Sequence, residues 1–415
     1  MKNSEVGMIP NHWRVDEIGH VGKVVGGGTP RKSIDEYWNG NVPWITPKDL
    51  SNYRERLIYE GSRSISQEGL ENSSAKILPP GTVLLSSRAP IGYLAIAGTN
   101  VCTNQGFKSI ICDKRKVDNL FLYYLLMEKK EALISIAGGS TFKEVSGKLV
   151  KQFKIPIPPL DEQKYISRIL SKLDDKIEIN NRINHHLEAM AQAIFKHWFV
   201  DFEFPNENGE PYKSSGGEMT ESELGLIPKG WRVRNLGEII EVLDSKRIPL
   251  SKKERSKRKN CYPYFGATGL MDYVDDYLFG GTYVLLGEDG TVIDEHGFPV
   301  LQYVWGKFWV NNHAHVLKGK SNISEEFILM LLKNTSVSSI VTGAVQPKIN
   351  QRNLRSLSVV LPVNETLIKQ YSKDVAQCFL LIKGNIEQTK RLSALRDTLL
   401  PKLMSGEIRV PVEES

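Results

Sequence analysis

Two stretches of this chain place apolar residues alternately four and three positions apart. Ile166, Leu170, Leu173, Ile177, Asn180, Asn184, Leu187, Ala191, Ile194 and Trp198 follow one such register. Tyr371, Val375, Cys378, Ile382, Asn385, Thr389, Leu392, Arg396, Leu399 and Leu403 follow another. The four-three step is the a/d seam of a coiled coil, which keeps one stripe of a helix against a partner. Pro158 and Pro159 block helix ahead of the first stretch, and Asp161 and Glu162 suit the positive end of a helix dipole.

One apolar stripe describes an ordinary core-facing helix. Two stripes in matching register, each interrupted by a polar pair at the same two positions, point at each other. Antiparallel packing sets Asn180 at the level of Thr389 and Asn184 at that of Asn385. Parallel packing also matches polar to polar, but a two-fold relation between the halves favours antiparallel. Such polar layers cost stability and fix register. From 166 to 198 the seam, at ~1.5 Å per residue, predicts a rod roughly 50 Å long. The copies differ in two places. Arg396 stands where the first has Ala191, and Pro401 stands where it has Lys196, which predicts a kink or stop near Leu400.

The rest of the chain repeats as well. Gly7-Met8-Ile9-Pro10-Asn11-His12-Trp13-Arg14-Val15 returns as Gly225-Leu226-Ile227-Pro228-Lys229-Gly230-Trp231-Arg232-Val233. Residues 139–158 likewise answer 343–362. A period this long is not a solenoid repeat; it describes two related domains. Each half reads as a mixed α/β segment followed by a long helix. Short strands are predicted at 81–87 and 107–112, with 282–286 and 308–310 in comparable places, and short helices at 120–131 and 325–333. The polar, Gly/Ser-rich stretch 205–223 reads as a flexible linker. The expected layout is an α/β domain over 1–157, a long helix over 158–204, a linker over 205–224, a second α/β domain over 225–361 and a second long helix over 362–410.

Composition adds little until charge is located. The chain has 415 residues and an ordinary soluble balance, 40% hydrophobic and 25% charged. No run approaches a membrane span and the amino terminus lacks an apolar signal core, so a cytoplasmic location is expected. Cys102, Cys112, Cys261 and Cys378 share no CxxC spacing and read as buried free thiols. Between 245 and 260 lie eight basic residues (Lys246, Arg247, Lys252, Lys253, Arg255, Lys257, Arg258 and Lys259) against one acidic, Glu254. That surplus exceeds the whole chain's +6. A loop of this kind is either merely solvated or holds phosphates, releasing condensed counterions as it binds.

Catalytic motifs are missing. Gly147-Lys148-Leu149 lacks the upstream glycine and the Ser/Thr of a phosphate loop, and Gly26-Gly27-Gly28-Thr29-Pro30 reads as a turn. The Pro-Pro dipeptides at 79–80 and 158–159 lack the flanks of an amino-methyltransferase motif. His313 and His315 could share a strand face, but no third ligand is spaced nearby, so no metal site is assigned. His185 and His186 read as a surface pair. The chain is expected to catalyse nothing itself.

An ordered series of short words carries a resemblance: Gly27-Gly28-Thr29-Pro30, Tyr37-Trp38, Pro43-Trp44-Ile45-Thr46-Pro47-Lys48-Asp49-Leu50, Ile155-Pro156-Ile157-Pro158-Pro159-Leu160-Asp161-Glu162-Gln163, Ile194-Phe195-Lys196-His197-Trp198-Phe199, Leu399-Leu400-Pro401-Lys402-Leu403-Met404-Ser405-Gly406, and the repeated Gly-x-Ile-Pro-x-x-Trp. The sequence resembles the specificity subunit of Type I restriction–modification enzymes over nearly its whole length. The resemblance implies two target-recognition domains separated by an antiparallel coiled coil, with pseudo-two-fold symmetry, each reading one half of a bipartite DNA sequence. It also implies that the coiled coil sets the spacing and docks two methyltransferase subunits, and that an ATP-hydrolysing restriction subunit, the translocase, joins them. S-adenosylmethionine, ATP and Mg would then belong to those partners. The rival reading is a coiled-coil adaptor that binds proteins and not DNA.

Base-reading residues are expected where the repeated scaffold carries unlike side chains. Ser86-Ser87-Arg88 answers Gly287-Glu288-Asp289, and Thr103-Asn104-Gln105 is paired with Asn311-Asn312-His313. Arg88 suits guanine; Asn104, Gln105 or Asn312 suits adenine; Glu288 or Asp289 suits cytosine. Thr46 and Lys48, with Tyr264 and Thr268, lie on candidate loops. Lys143, Lys348 and the run through Lys246, Arg247, Lys252 and Lys253 are candidate phosphate contacts. For each, the plain alternative is a hydrogen bond or ion pair that only stabilises a loop.

Overall fold

The computed structural model describes residues 1–139, 143–258, 261–343 and 345–411. The chain forms two compact units, Met1–Arg182 with Asn385–Ser415, and Ile183–Gly384. Each unit therefore holds one α/β domain and one stretch of each long helix. Among the described residues, no helix is long and apolar enough to cross a membrane.

In the first unit, five strands form a sheet in the order Gly22–Gly26, Lys108–Cys112, Val83–Ser87, Ile91–Ala97, Leu57–Ile58. A smaller sheet joins Cys102–Thr103, Trp38–Ile45 and Arg63–Ile65. The helices Asn119–Glu128 and Lys130–Ser135 cover the larger sheet. Asn119–Glu128 is apolar all round and buries Phe121 through Leu126, as a helix enclosed on both sides must.

The second unit repeats the plan. One sheet runs Ile240–Val242, Ala314–Gly319, Tyr283–Gly287, Leu301–Val304; the other runs Leu270–Val274, Tyr262–Phe265, Lys307–Val310, Phe279–Gly280. Both units include an unusual parallel pair, Trp44 beside Cys102 in one and Tyr264 beside Trp309 in the other. This match corrects one expected equivalence. Residues 307–310 answer 102–103, and the counterpart of 108–112 is 314–319. Both are apolar runs of similar length, so pattern alone could not separate them.

The repeated Gly-x-Ile-Pro-x-x-Trp words build the same hairpin twice, Lys2–Ser4 with Gly7–Ile9 and Met219–Ser222 with Gly225–Pro228. Ser4 donates to the Gly7 carbonyl and Ser222 to that of Gly225. Gly7 and Gly225 take φ of +105° and +94°, which explains glycine at both. The tryptophans anchor the hairpins differently. Trp13 donates to the buried Glu162 (3.0 Å), whereas Trp231 packs among Phe199, Phe202 and Phe204.

The long helices are Leu160–Phe195 and Thr366–Met404. Every position of both seams is buried or half-buried. In the first unit their direction is antiparallel. Asp174 pairs with Arg396 (2.8 Å), and six residues on, Asn180 donates to Gln388 (2.9 Å) and Thr389 (3.4 Å). In the second unit the Tyr371 hydroxyl donates to the Ala191 carbonyl (3.0 Å).

Two expectations fail here. The distal helix continues through Pro401 to Met404, so the stop expected near Leu400 does not occur. Leu400, Leu403 and Met404 are buried in the first unit's core, and their burial offsets the one backbone bond that proline forfeits. The stretch 205–223 is folded, a hydrogen-bonded turn that leads into the strand Met219–Ser222. Phe204 stacks on Tyr212 (4.6 Å between ring centres) and on Trp231 (5.3 Å), and the Asn206 carboxamide caps Asn208 and Glu210. Three aromatic rings outweigh the polar composition on which the linker expectation rested.

Arg396 breaks the apolar seam, yet it is matched. Asp174 is almost fully buried and accepts from both Arg396 and the Tyr124 hydroxyl (2.6 Å). Arg396→Ala strands that carboxylate and should lower stability by about 2–4 kcal/mol. Replacing Asp174 and Arg396 together by Leu should recover most of the loss, read as denaturant midpoints at unchanged m-value.

Candidate nucleic-acid interface

The strands Val83–Ser87 and Tyr283–Gly287 are buried along their whole length, so their ends are fixed points. At each end the next groups brace two further loops. In the first unit the Ser87 N–H donates to the Gly106 carbonyl (2.7 Å), and the Ser87 carbonyl accepts from Val145 (3.0 Å). In the second, the Glu288 N–H donates to the His313 carbonyl (2.8 Å), and its carbonyl accepts from Ile349 (2.9 Å). Three loops thus meet at one backbone brace, built identically in both units.

The middle loop is an asparagine turn. Asn104 accepts from the Gly106 N–H (2.9 Å) and Asn311 from that of His313 (2.8 Å). Their own N–H groups donate to Ile45 and Phe265. Asn104 therefore answers Asn311, and Gln105 answers Asn312. The sequence pairing of Thr103 with Asn311 is one residue out, because the repeat has diverged around the one side chain that the turn requires.

On this common frame the charges are exchanged. In the first unit Glu144, on the third loop, pairs with Lys108 (3.1 Å) and lies 3.6 Å from Arg88. In the second unit Lys348 stands in the place of Glu144, 3.3 Å from Glu288, and Asp289 stands in the place of Arg88, bonded to His313 (2.7 Å). A base beside an acid has become an acid beside a base.

Behind the second brace lies a half-buried polar cluster. Arg247 donates to Glu288 (2.7 Å) and to the Ala314 carbonyl (2.6 Å), and approaches Asp244 (3.4 Å). His315, 1% exposed, holds Asp244 through Nδ1 (2.5 Å) and the Ile349 carbonyl through Nε2 (2.8 Å). The Asp244 carboxylate and the Ile349 carbonyl thus occupy its two ring nitrogens. Asp244, Glu288 and His315 have the spacing of metal ligands, all within 4.8 Å. Arg247 is the cation they already hold, and both imidazole nitrogens are spent.

The sequence candidates divide accordingly. Arg88, Lys143 and Gln105 are accessible, and Arg88 and Lys143 line a cleft of about 700 Å³ with Lys130 and Ile134. Lys48, Lys246, Lys252, Lys253, Thr268, Asn312, His313 and Lys348 are exposed. Others are spent inside. Thr46 donates to Asp49 (2.6 Å), and Thr103 is buried beneath the turn that Asn104 closes. Tyr264 is buried, its hydroxyl accepting from Leu250 (3.0 Å), and Asn311 is buried in its own turn. Arg247 and Glu288 neutralise one another. Each is a polar residue whose loop needed it more than a ligand would.

The basic run is likewise mixed. A Ser251 capping box starts the short helix Lys252–Arg255; Arg255 pairs with Asp272 (2.8 Å) and Arg258 with Asp275 (3.0 Å). Lys246, Lys252, Lys253 and Lys257 stay exposed, and Lys259 lies outside the described residues. Cys261 is exposed, against the expectation of a buried thiol. Sequence reasoning missed Glu144, Lys108 and Lys130. Glu144 could have been found by asking what stands opposite Lys348.

Burial alone would raise the Asp244 carboxyl. The bond from His315, its charge, the Val316 N–H and Arg247 outweigh it and hold the group below the ordinary carboxylate range. A depressed carboxyl stabilises the fold above that range and stops doing so as pH falls through it. Asp244→Asn should therefore cost stability near neutrality and flatten the decline below about pH 4, followed as denaturant midpoint against pH.

The family described as "Type I restriction modification DNA specificity domain" matches residues 10–189 and 228–391. The Type I restriction enzyme MjaIX specificity subunit of Methanocaldococcus jannaschii is 35% identical over 99% of this chain and 96% of its own length. The EcoprrI specificity subunit of Escherichia coli is 23% identical over 89% of this chain and 88% of its own. In fold, the Type I S subunit from M. genitalium superposes with a TM-score of 0.55 at 17% identity, covering 97% of this chain and 98% of that one.

Proposed function

Because the chain belongs to the Type I restriction–modification DNA specificity family, we propose that each of its α/β domains, 1–157 and 225–361, reads one half of a bipartite duplex target. The observation that carries this reading is the brace built twice with its charges exchanged. An identical frame suits the same duplex geometry, and unlike side chains suit different bases. Family membership also replaces the protein-only adaptor as an account of the chain.

In the first half-site Arg88 takes guanine through O6 and N7, with Gln105 beside it. In the second, Asn312 takes adenine, and Asp289, oriented by His313, accepts from cytosine. Lys48, Lys143, Lys246, Lys252, Lys253 and Lys348 hold phosphates. The long helices, Leu160–Phe195 and Thr366–Met404, set the distance between readers and dock two methyltransferase subunits, with a restriction subunit joining them. Asn180, Asn184, Asn385 and Thr389 fix their register. Catalysis, with S-adenosylmethionine, ATP and Mg, belongs to those partners, in the cytoplasm.

Arg88→Ala should cost ~1–3 kcal/mol and relax one position of the first half-site alone, measured on a panel of single-base variants. An equal loss on every duplex would demote Arg88 to a backbone contact. Reversing Lys252 and Lys253 to Glu should flatten the salt dependence of binding, each lost phosphate contact removing about one unit of slope. An unchanged slope would place the run away from DNA.

A further inference from the structure

The strands Tyr262–Phe265 and Leu270–Val274 form a hairpin whose register slips by one residue. Phe265 opposes Leu270 and Tyr264 opposes Asp272, so Met271 is the extra residue of a bulge. Bulges re-aim a side chain out of the regular pleat, and they gather beside functional sites. Met271 is 55% exposed, although it is apolar and lies on an edge strand. Edge strands that meet only water are usually charged there.

The bulge is rigidly placed. Gln302 donates to the Gly266 carbonyl (2.8 Å) and the Ala267 carbonyl (3.1 Å), pinning the turn. A Cβ on Gly266 would lie 2.3 Å from the Met271 sulfur, so glycine is what lets the methionine lie across the turn. On its other side the sulfur accepts from the Asn311 carboxamide (3.4 Å). Met271 therefore borders the loop of Asn311, Asn312 and His313, which the Glu288 brace holds. The next residue, Asp272, ties the strand through Arg255 to the helix that carries Lys252 and Lys253. Neither lysine forms a salt bridge among the described residues.

We propose that Met271 reads the 5-methyl group of a thymine in the second half-site, an inference that rests on the reading of that domain given above. A two-stranded ribbon fits the major groove, where the thymine methyl is the one apolar feature a base edge presents. A thioether has no donor to offer an acceptor edge, and its weakly accepting sulfur is already taken by Asn311. The flanking lysines match phosphate and suit a duplex better than an apolar protein surface.

The test uses the chain assembled with its methyltransferase subunits and duplexes in which each thymine of the second half-site is replaced in turn by deoxyuridine. Losing one buried methyl contact weakens binding roughly fourfold, at one position only. Met271→Ala should bind the thymine duplex about fourfold more weakly and become indifferent to that exchange. Met271→Leu should stay sensitive, and the salt slope should not move in either variant. A second half-site without an A·T pair would overturn the proposal, as would a wild type indifferent to every exchange or a Met271→Ala protein that stays sensitive. Weaker capture of the methyltransferase subunits by Met271→Ala, with base discrimination intact, would assign the bulge to a protein partner and overturn it too. These outcomes leave the half-site reading standing; that reading falls only if the assembled wild type does not discriminate among second half-site sequences.

Discussion

A backbone brace at the end of one buried strand governs the rest. Ser87 and Glu288 each use both main-chain groups to tie a loop on either side, and neither group depends on side-chain identity. The strand behind each cannot shift, because all of its side chains are enclosed. Loops are ordinarily where position is least certain. Here three of them take their position from a core strand, so side chains can change without moving the frame. A reader that must hold different groups against the same duplex needs this separation of frame from content.

The same economy recurs in how buried charge is handled. Arg396 in the seam, Arg56 beneath the first domain and Arg247 beneath the second would each be costly alone. Arg396 meets Asp174, Arg56 meets Asp175 and Glu178, and Arg247 meets Glu288 and Asp244. In the first unit both networks end on the long helix Leu160–Phe195, so the domain and its helix share charges as well as apolar contacts. Asn180 is the exception that fits the pattern. Its amide donates across the helix pair while its carbonyl oxygen is buried with no hydrogen-bond partner among the described residues, which costs stability and discourages slippage.

What could be read from sequence follows from how far each signal reaches. The helix seams were legible to the residue because a four-three period over some thirty positions leaves one face to bury; the antiparallel direction needed the repeat as well. The helix at 325–333 and the strands near 83–87 and 283–287 were legible from short apolar runs between turn residues. Correspondence across the repeat was not. Thr103 and Asn311 align by position, but Asn104 and Asn311 align by the turn they close, and the hydrogen bond of an asparagine to its own backbone leaves no periodic trace. Arg247 and Tyr264 looked available because composition reports charge and polarity, while the partners that consume them, Glu288 and Leu250, lie tens of residues away or on another loop. Phe204, Tyr212 and Trp231 misled in the other direction, since three scattered aromatics carry little weight in a polar window and a great deal in a folded turn.

Divergence between the copies then separates structure from recognition. The brace is made by backbone groups, and the side chains around it differ between the two domains: Arg88 against Asp289, Glu144 against Lys348, Gln105 against Asn312. Positions that build the frame have not drifted in role. Asn104 and Asn311 close the same turn, and Gly7 and Gly225 hold the same left-handed backbone. A duplicated protein that only scaffolded partners would have no reason to exchange charge at one buried-strand terminus while preserving the backbone beneath it. A protein that addresses two unlike halves of one duplex would have that reason at this place.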